Sequence, residues 1–232
     1  MKIRIKFAKY GTMKFIGHLD MMRFFQKAIR RAEIDVRYSE GFSPHQIMSF
    51  AAPLGVGIES TGEYMDIEVL SMTSTEDVKE ALNRTMVEGV EVLSVTVLPE
   101  QVKNAMASVA AASYRISAKE GCFPIDGLCE KLRDFYAQDS IPYTKETKKS
   151  IVEIDLKQGI YELGAEADGS LHMLVNASSS GNIKPMAVFE KFCGFAGAVI
   201  PEKVCQVTRL ETYMDIAKEG EGHHFVPLSD AG

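Results

Sequence analysis

Two histidines, His18 and His45, with Tyr38 between them, are the side chains best suited to proton transfer near neutral pH. Imidazole titrates there, so such a pair could act as acid and base on a ribose 2′-hydroxyl while neighbouring cations hold the phosphate. Arg23, Lys27, Arg30 and Arg31 follow His18 closely and supply those cations. A hydrogen-bonded structural role accounts for each histidine as well, so His18, His45 and Tyr38 are catalytic candidates only. Ser39 and Glu40 could join His45 around a pocket, but no nucleophile-elbow sequence surrounds Ser39. Phe42 and Phe50 could stack on bases, or instead anchor their loop to a core. The binding residues expected are Arg23, Lys27, Arg30, Arg31, Tyr38, Ser39, Phe42, His45 and Phe50.

A helix and a loop must position these groups. Gly17 is a tolerable N-cap and Asp20 a favourable first-turn carboxylate, so a helix is predicted from His18 to Ala32. At about 100° per residue, Met21, Met22, Phe24, Phe25, Ala28, Ile29 and Ala32 share one side, and Arg23, Lys27, Arg30 and Arg31 gather on the other. Solvation alone explains many cationic faces, but only Asp20 shares this one to neutralise it. Residues 39–64 then hold four glycines and two prolines. With Phe42, Ile47, Met48, Phe50 and Leu54 as anchors, they predict an ordered loop with a short strand near Gln46 to Ala51. No Walker-type spacing and no G-x-G-x-x-G is present.

The framework reads as alternating strands and helices. KIRIKF at Lys2 to Phe7 has the period of a strand with one buried face. A strand over Tyr64 to Leu70, a helix over Thr75 to Glu88 and a strand over Val90 to Leu98 complete a split βαβ order. The second half repeats it. A strand at Ser113 to Ala118 and a helix at Ile125 to Ala137 precede a strand at Ser150 to Leu156. A hairpin over Ile160 to Ala167 and Ser170 to Asn176 turns at Asp168–Gly169, before a helix at Lys184 to Phe195 and a strand at Val204 to Tyr213. The expected fold is α+β, two tandem ferredoxin-like (βαββαβ) domains at 1–100 and 113–214, with a connector at 101–112 and a polar, mobile tail at 215–232. Asp66 and Asp155 are expected to be structural. Lys145, Lys148 and Lys149 with Arg209 form a second, smaller candidate patch.

Composition excludes several classes. With 46% hydrophobic and 25% charged residues, the chain is ordinary for a globular protein. Its longest apolar runs, such as Ala105 to Ala112, are far shorter than the roughly 20 residues of a membrane span, and Met1 opens onto a charged strand; a cytoplasmic location away from membranes is expected. The four cysteines form no C-x-x-C pair, which argues against a zinc knuckle, a disulfide framework or an iron–sulfur cluster of the chain's own. His223 and His224 lack a third ligand nearby, and neither metal nor cofactor is expected. The net charge of −6 is uneven. Residues 1–50 carry ten Lys and Arg against four acidic residues, a net of +6 that leaves −12 for the remainder and suggests one basic face.

From Phe15 to Ile67 the sequence resembles the bacterial radical SAM-linked (radical SAM-associated) family, a domain of unknown function whose pattern runs F-x-S-H-L-D, R, A-x-R-R-A, Y-S-x-G-F-N-P-H-P, S-F and P-L. His18, Leu19, Asp20, Arg23, Arg30, Arg31, Tyr38, Ser39, Gly41, Phe42, Pro44, His45, Ser49, Phe50, Pro53 and Leu54 match. Gly17 replaces a serine, Ser43 an asparagine and Gln46 a proline. The resemblance implies association with a radical-SAM protein that carries a cobalamin-type domain. The tandem order is also similar to that of CRISPR repeat-processing endoribonucleases, a likeness of fold alone. The function expected is a non-catalytic accessory protein of a radical-SAM system that binds RNA or another phosphate-bearing partner. A protein–protein scaffold or specificity subunit without nucleic acid, and a metal-independent endoribonuclease using His18 and His45, are the alternatives.

Overall fold

Ile3, Ile5 and Phe7 alternate with Lys2, Arg4 and Lys6 to build β1 (Lys2–Lys9) in a computed structural model that describes residues 1–146, 151–218 and 220–230. Lys148, Lys149 and the side chain of Lys145, expected as a second patch, lie outside the described residues. The chain is α+β and divides into two units, 1–110 with 211–232, and 111–210.

In the first unit β1 pairs antiparallel with β3 (Glu59–Glu68) and β4 (Val90–Leu98), while β2 (Met48–Phe50) pairs antiparallel with β3. The order is β4-β1-β3-β2, with α1 (His18–Arg31) and α2 (Thr75–Asn83) in the connections. Ser74 caps α2 by accepting the Asp77 N–H at 3.0 Å. Gly89, at φ +93°, follows α2 where a Cβ would stand 2.6 Å from the Tyr10 carbonyl, so only glycine fits. Met21, Phe25 and Ile29 of α1 and Val78 and Leu82 of α2 form one core with Ile3, Ile5, Phe7, Met65, Ile67 and Val92. The apolar half of the amphipathic helix therefore lies where its 3.6-residue period places it.

The charged side of β1 does not face water, as its alternation would suggest. Arg4 is 1% exposed. Its Nε and Nη2 donate to the two carboxylate oxygens of Asp66 at 2.8 and 3.0 Å, and its Nη1 donates to the Leu228 carbonyl at 2.9 Å. Asp66 also accepts the Ala105 N–H at 2.7 Å. Next along the strand, Lys6 pairs with Glu211, which accepts the Tyr64 hydroxyl at 2.6 Å. Burying either charge without its partner would be strongly unfavourable, so these pairs are the condition on which the face can be covered.

What covers that face is the segment expected to be a mobile tail. β11 (Phe225–Pro227) pairs antiparallel with Tyr213 to Asp215 of β10 (Cys205–Asp215), and Leu228 is fully buried beside Ala51, Tyr64 and Ala105. The polar composition concealed a short strand and one anchoring leucine. The expected connector likewise contains α3 (Ala105–Ser108), capped by Asn104, which accepts the Ala107 N–H at 2.9 Å. Two residues on, the Ala110 N–H donates to the Tyr213 carbonyl at 2.9 Å. The unit boundaries accordingly fall at 110 and 211, instead of at 100, 113 and 215.

The second unit holds β5 (Ala111–Ala118), α4 (Leu128–Tyr136), β8 (Ile160–Ala165), β9 (Leu171–Asn176), α5 (Pro185–Ala196) and residues 205–210 of β10, in the order β10-β5-β9-β8. Between α4 and β8, β6 (Pro142–Glu146) and β7 (Ile151–Asp155) form a separate antiparallel pair. The expected SIVEIDL strand is thus half of a side hairpin whose partner, PYTKE, carries no alternating signal. Asp155 receives the Ile141 and Lys157 N–H groups at 2.7 and 3.0 Å. The first of these holds its carboxyl below the usual carboxylate range, and the second adds to it against partial desolvation.

Burial sorts the thiols. Cys122 and Cys129 are exposed, whereas Cys193 and Cys205 are buried. Burial pushes the Cys193 thiol up to about 11 and raises Cys205 as well. Because the thiolate is the reactive form, titration of the native protein with an aromatic disulfide reagent at mildly alkaline pH is expected to modify Cys122 and Cys129 quickly. The buried pair should react only after denaturant is added. Equal rates for all four would refute this burial pattern.

Candidate functional site

Helix α1 turns its unburied side outward with little acid to balance it. Arg23 pairs with Asp20 at 3.0 Å in the open, and Arg30 Nε donates to the Gln26 carbonyl at 3.3 Å. Among the described residues, no ion pair involves Lys27, Arg30 or Arg31, and all three are exposed. The charge excess of the first fifty residues narrows to this helix. Four other cations counted in it are matched by acids further along the chain: Arg4 by Asp66, Lys6 by Glu211, Lys14 by Glu59 and Arg37 by Glu68.

Beside that face lies the loop at 38–46, whose ends meet at a bridge between Tyr38 and Gln46. The Ser39 N–H donates to the His45 carbonyl at 2.8 Å, and the His45 N–H donates to Ser39 Oγ at 3.1 Å. Ser39 Oγ also lies 2.9 Å from His45 Nδ1. His45 Nδ1 is also 3.4 Å from the Ser43 carbonyl, so this nitrogen is held inside the loop while Nε2 is the ring nitrogen left for other partners. Gly41 supplies the turn at φ +108°, and Phe42 stands fully exposed at the tip.

Between helix and loop is a pocket of about 160 Å³ lined by Gln26, Arg30, Tyr38, Pro44, His45 and Gln46. Gln46 is 4% exposed. Its Nε2 donates to the Gln26 carbonyl at 3.3 Å and reaches the Tyr38 hydroxyl at 3.4 Å, but its Oε1 is buried without a partner. The orientation is fixed by chemistry, because a carbonyl can only accept and must face the amide nitrogen. Neither Gln26 nor Gln46 was evident from the sequence as a site residue. The one signal was that Gln46 stands where the resembled pattern has proline.

His18 is not part of this arrangement. Its ring packs edge-on against Phe50, centroids 5.4 Å apart, and lines a small cavity of about 20 Å³ with Lys9 and Glu63 among its walls. Lys9 Nζ donates to the Ile16 carbonyl at 2.6 Å. Burial lowers its pKa, opposed by the charge of Glu63. Nothing in the sequence distinguished this lysine from a loop cation. The two candidate histidines thus line different cavities, and the structure brings only His45 and Tyr38 together. Phe50, expected as a stacking platform, is 6% exposed and packs against Phe7 and Phe25 at 6.0 and 5.9 Å. The loop returns it to the core, and Phe42 alone of the two is available to a ligand. Among the described residues, no group of three or more His, Cys, Asp or Glu side chains could hold a metal ion, and no helix is long and apolar enough to cross a membrane.

A family model described as an uncharacterized protein conserved in bacteria (DUF2344) matches residues 2–185. No curated protein matches the chain. Among solved structures, a chain from a crystal structure of a Cbf5-Nop10-Gar1 complex is similar over 90% of this chain, at 6% identity and a TM-score of 0.43. This chain spans 48% of that one, and a likeness so distant carries no argument about fold or function.

Proposed function

We propose a function for a chain that belongs to the DUF2344 family of proteins conserved in bacteria: it is a non-catalytic accessory protein that binds RNA through α1 and the adjoining loop. The single observation that carries the reading is the exposed set Lys27, Arg30 and Arg31, which has no acidic partner among the described residues, with Arg23 one turn away, beside a pocket lined by Arg30. Cations that neutralise backbone phosphates position a strand without reading its sequence, while the neighbouring loop offers Tyr38, His45 and the exposed ring of Phe42 for bases. The resemblance to radical SAM-linked proteins makes a radical-SAM enzyme the system it would serve. The strand orders β4-β1-β3-β2 and β10-β5-β9-β8 support reading each unit as ferredoxin-like, with the β6–β7 hairpin as an addition to the second.

A scaffold function without nucleic acid is favoured by one feature, the exposed apolar side chains of Phe15 and Leu19 around the start of α1. The endoribonuclease alternative loses its support, because its proposed acid and base line separate cavities.

A salt titration of binding to a mixed cellular RNA pool separates the first two. With Arg23→Gln and Arg30→Gln together, the slope of log affinity against log salt should fall by about 1.4, since each single-strand phosphate contact contributes roughly 0.7. A wild-type protein that ignores RNA at about 50 mM salt, where such contacts are strong, would refute the RNA reading and leave the scaffold.

A further inference from the structure

The pocket between α1 and the 38–46 loop has an acceptor with nothing to accept. Gln46 Oε1 is buried, its amide is locked by the Gln26 carbonyl, and the group has no freedom to exchange its ends without setting two carbonyls against each other. A ligand for this site must therefore bring an N–H or O–H donor. It must also suit Arg30, the one charged side chain among the lining residues. A carboxylate or phosphate alone satisfies Arg30 and offers Gln46 nothing, because both are acceptors when ionised. The volume of about 160 Å³ is well below the roughly 300–1,000 Å³ of pockets that enclose a whole drug-sized ligand, so one ring system enters and the rest remains outside. Two of the walls, Tyr38 and His45, are themselves flat rings, and His45 Nε2 and the Tyr38 hydroxyl can meet polar edges.

A nucleotide meets all of these requirements, and we infer that this pocket takes one unpaired nucleotide unit. The base enters, the Gln46 side chain shifts to bring its covered Oε1 to an N–H on the base edge, and the phosphate lies against Arg30. The inference rests on the RNA reading above and adds a division of labour to it. Arg23, Lys27 and Arg31 hold the strand by charge, and Gln46 is the residue that requires a base. The same unit could come from a free nucleotide or from a strand, and the chemistry of the pocket is shared by both.

The test uses the full chain and four probes: fluorescein-labelled hexa-adenylate, an abasic strand with the same number of phosphates, AMP and ribose 5-phosphate. Wild-type protein should prefer the base-bearing strand to the abasic one by at least about tenfold, as expected for one stacked base. AMP but not ribose 5-phosphate should shift the His45 ring signals in NMR if a free nucleotide suffices; a preference seen only with strands assigns the unit to RNA. Gln46→Leu should bring the strand preference to within about twofold while the salt slope is unchanged, because no phosphate contact is lost. Equal wild-type binding of both strands with a steep salt slope would overturn the inference and leave the RNA reading intact. Binding of neither would overturn both. Retention of the preference by Gln46→Leu, or displacement of the strand by an acidic phosphopeptide and not by AMP, would also overturn it. The wild-type comparison decides even if Gln46→Leu fails to fold.

Discussion

Asp66→Ala is expected to cost about 3–5 kcal/mol, the range seen when one partner of a buried ion pair is removed. Arg4, 1% exposed, would keep the Leu228 carbonyl as a close acceptor and lose both carboxylate bonds, so a guanidinium charge would be left in the interior. The Ala105 N–H would lose its acceptor as well. Guanidinium unfolding followed by far-UV circular dichroism should show the first transition moving to markedly lower denaturant. Combining Arg4→Met with Asp66→Leu should recover much of the loss, because an apolar pair of similar volume leaves no unpaired charge. A loss below about 1 kcal/mol for Asp66→Ala, the range of exposed pairs, would contradict the buried network.

The second large effect is placed where the sequence predicted none. Leu228→Ala should cost about 2–5 kcal/mol, as for other fully buried leucines. Its side chain is enclosed by Ala51, Tyr64 and Ala105, and its carbonyl closes the Arg4 network. Were residues 215–232 loose, the same substitution would fall within about 0.5 kcal/mol of zero, the usual range for surface positions. The same unfolding experiment distinguishes the two. The costs of Leu228→Ala and Asp66→Ala should not add, since the two positions share Arg4.

Local signals carried much of the organisation. α1 was legible because seven apolar positions and four cations separate cleanly at helical spacing, and its buried residues Met21, Phe25, Ala28 and Ile29 are all from the expected side. Strands with regular alternation, such as KIRIKF, were legible as strands. What such patterns omit is what the far face meets. Arg4 and Lys6 read as solvent-facing because the segments opposite them come from more than 200 residues away. The tail failed for the same reason: PLSD has no periodicity, and only tertiary contact explains Leu228. At the candidate site, residue type identified the cations and His45. The pairing of His18 with Phe50, and the unsatisfied amide of Gln46, depend on where the loop folds back, which no spacing encodes.

The division of the first unit between residues 1–110 and 211–232 has a consequence for synthesis. Ribosomes deliver Arg4 and Asp66 well before Leu228. At about 5–20 residues per second, roughly ten to thirty seconds separate Asp66 from the segment that covers it. Throughout that interval the nascent sheet exposes a charged pair and an apolar seat for Leu228, while residues 111–210 emerge in one continuous stretch and have their own strands at hand. The inserted half is therefore free to form first, and the half that emerges first is finished last. A nascent chain stalled before Phe225 would be a chaperone substrate within residues 1–110, and a stop codon there would be read by the cell as a folding defect far from the break.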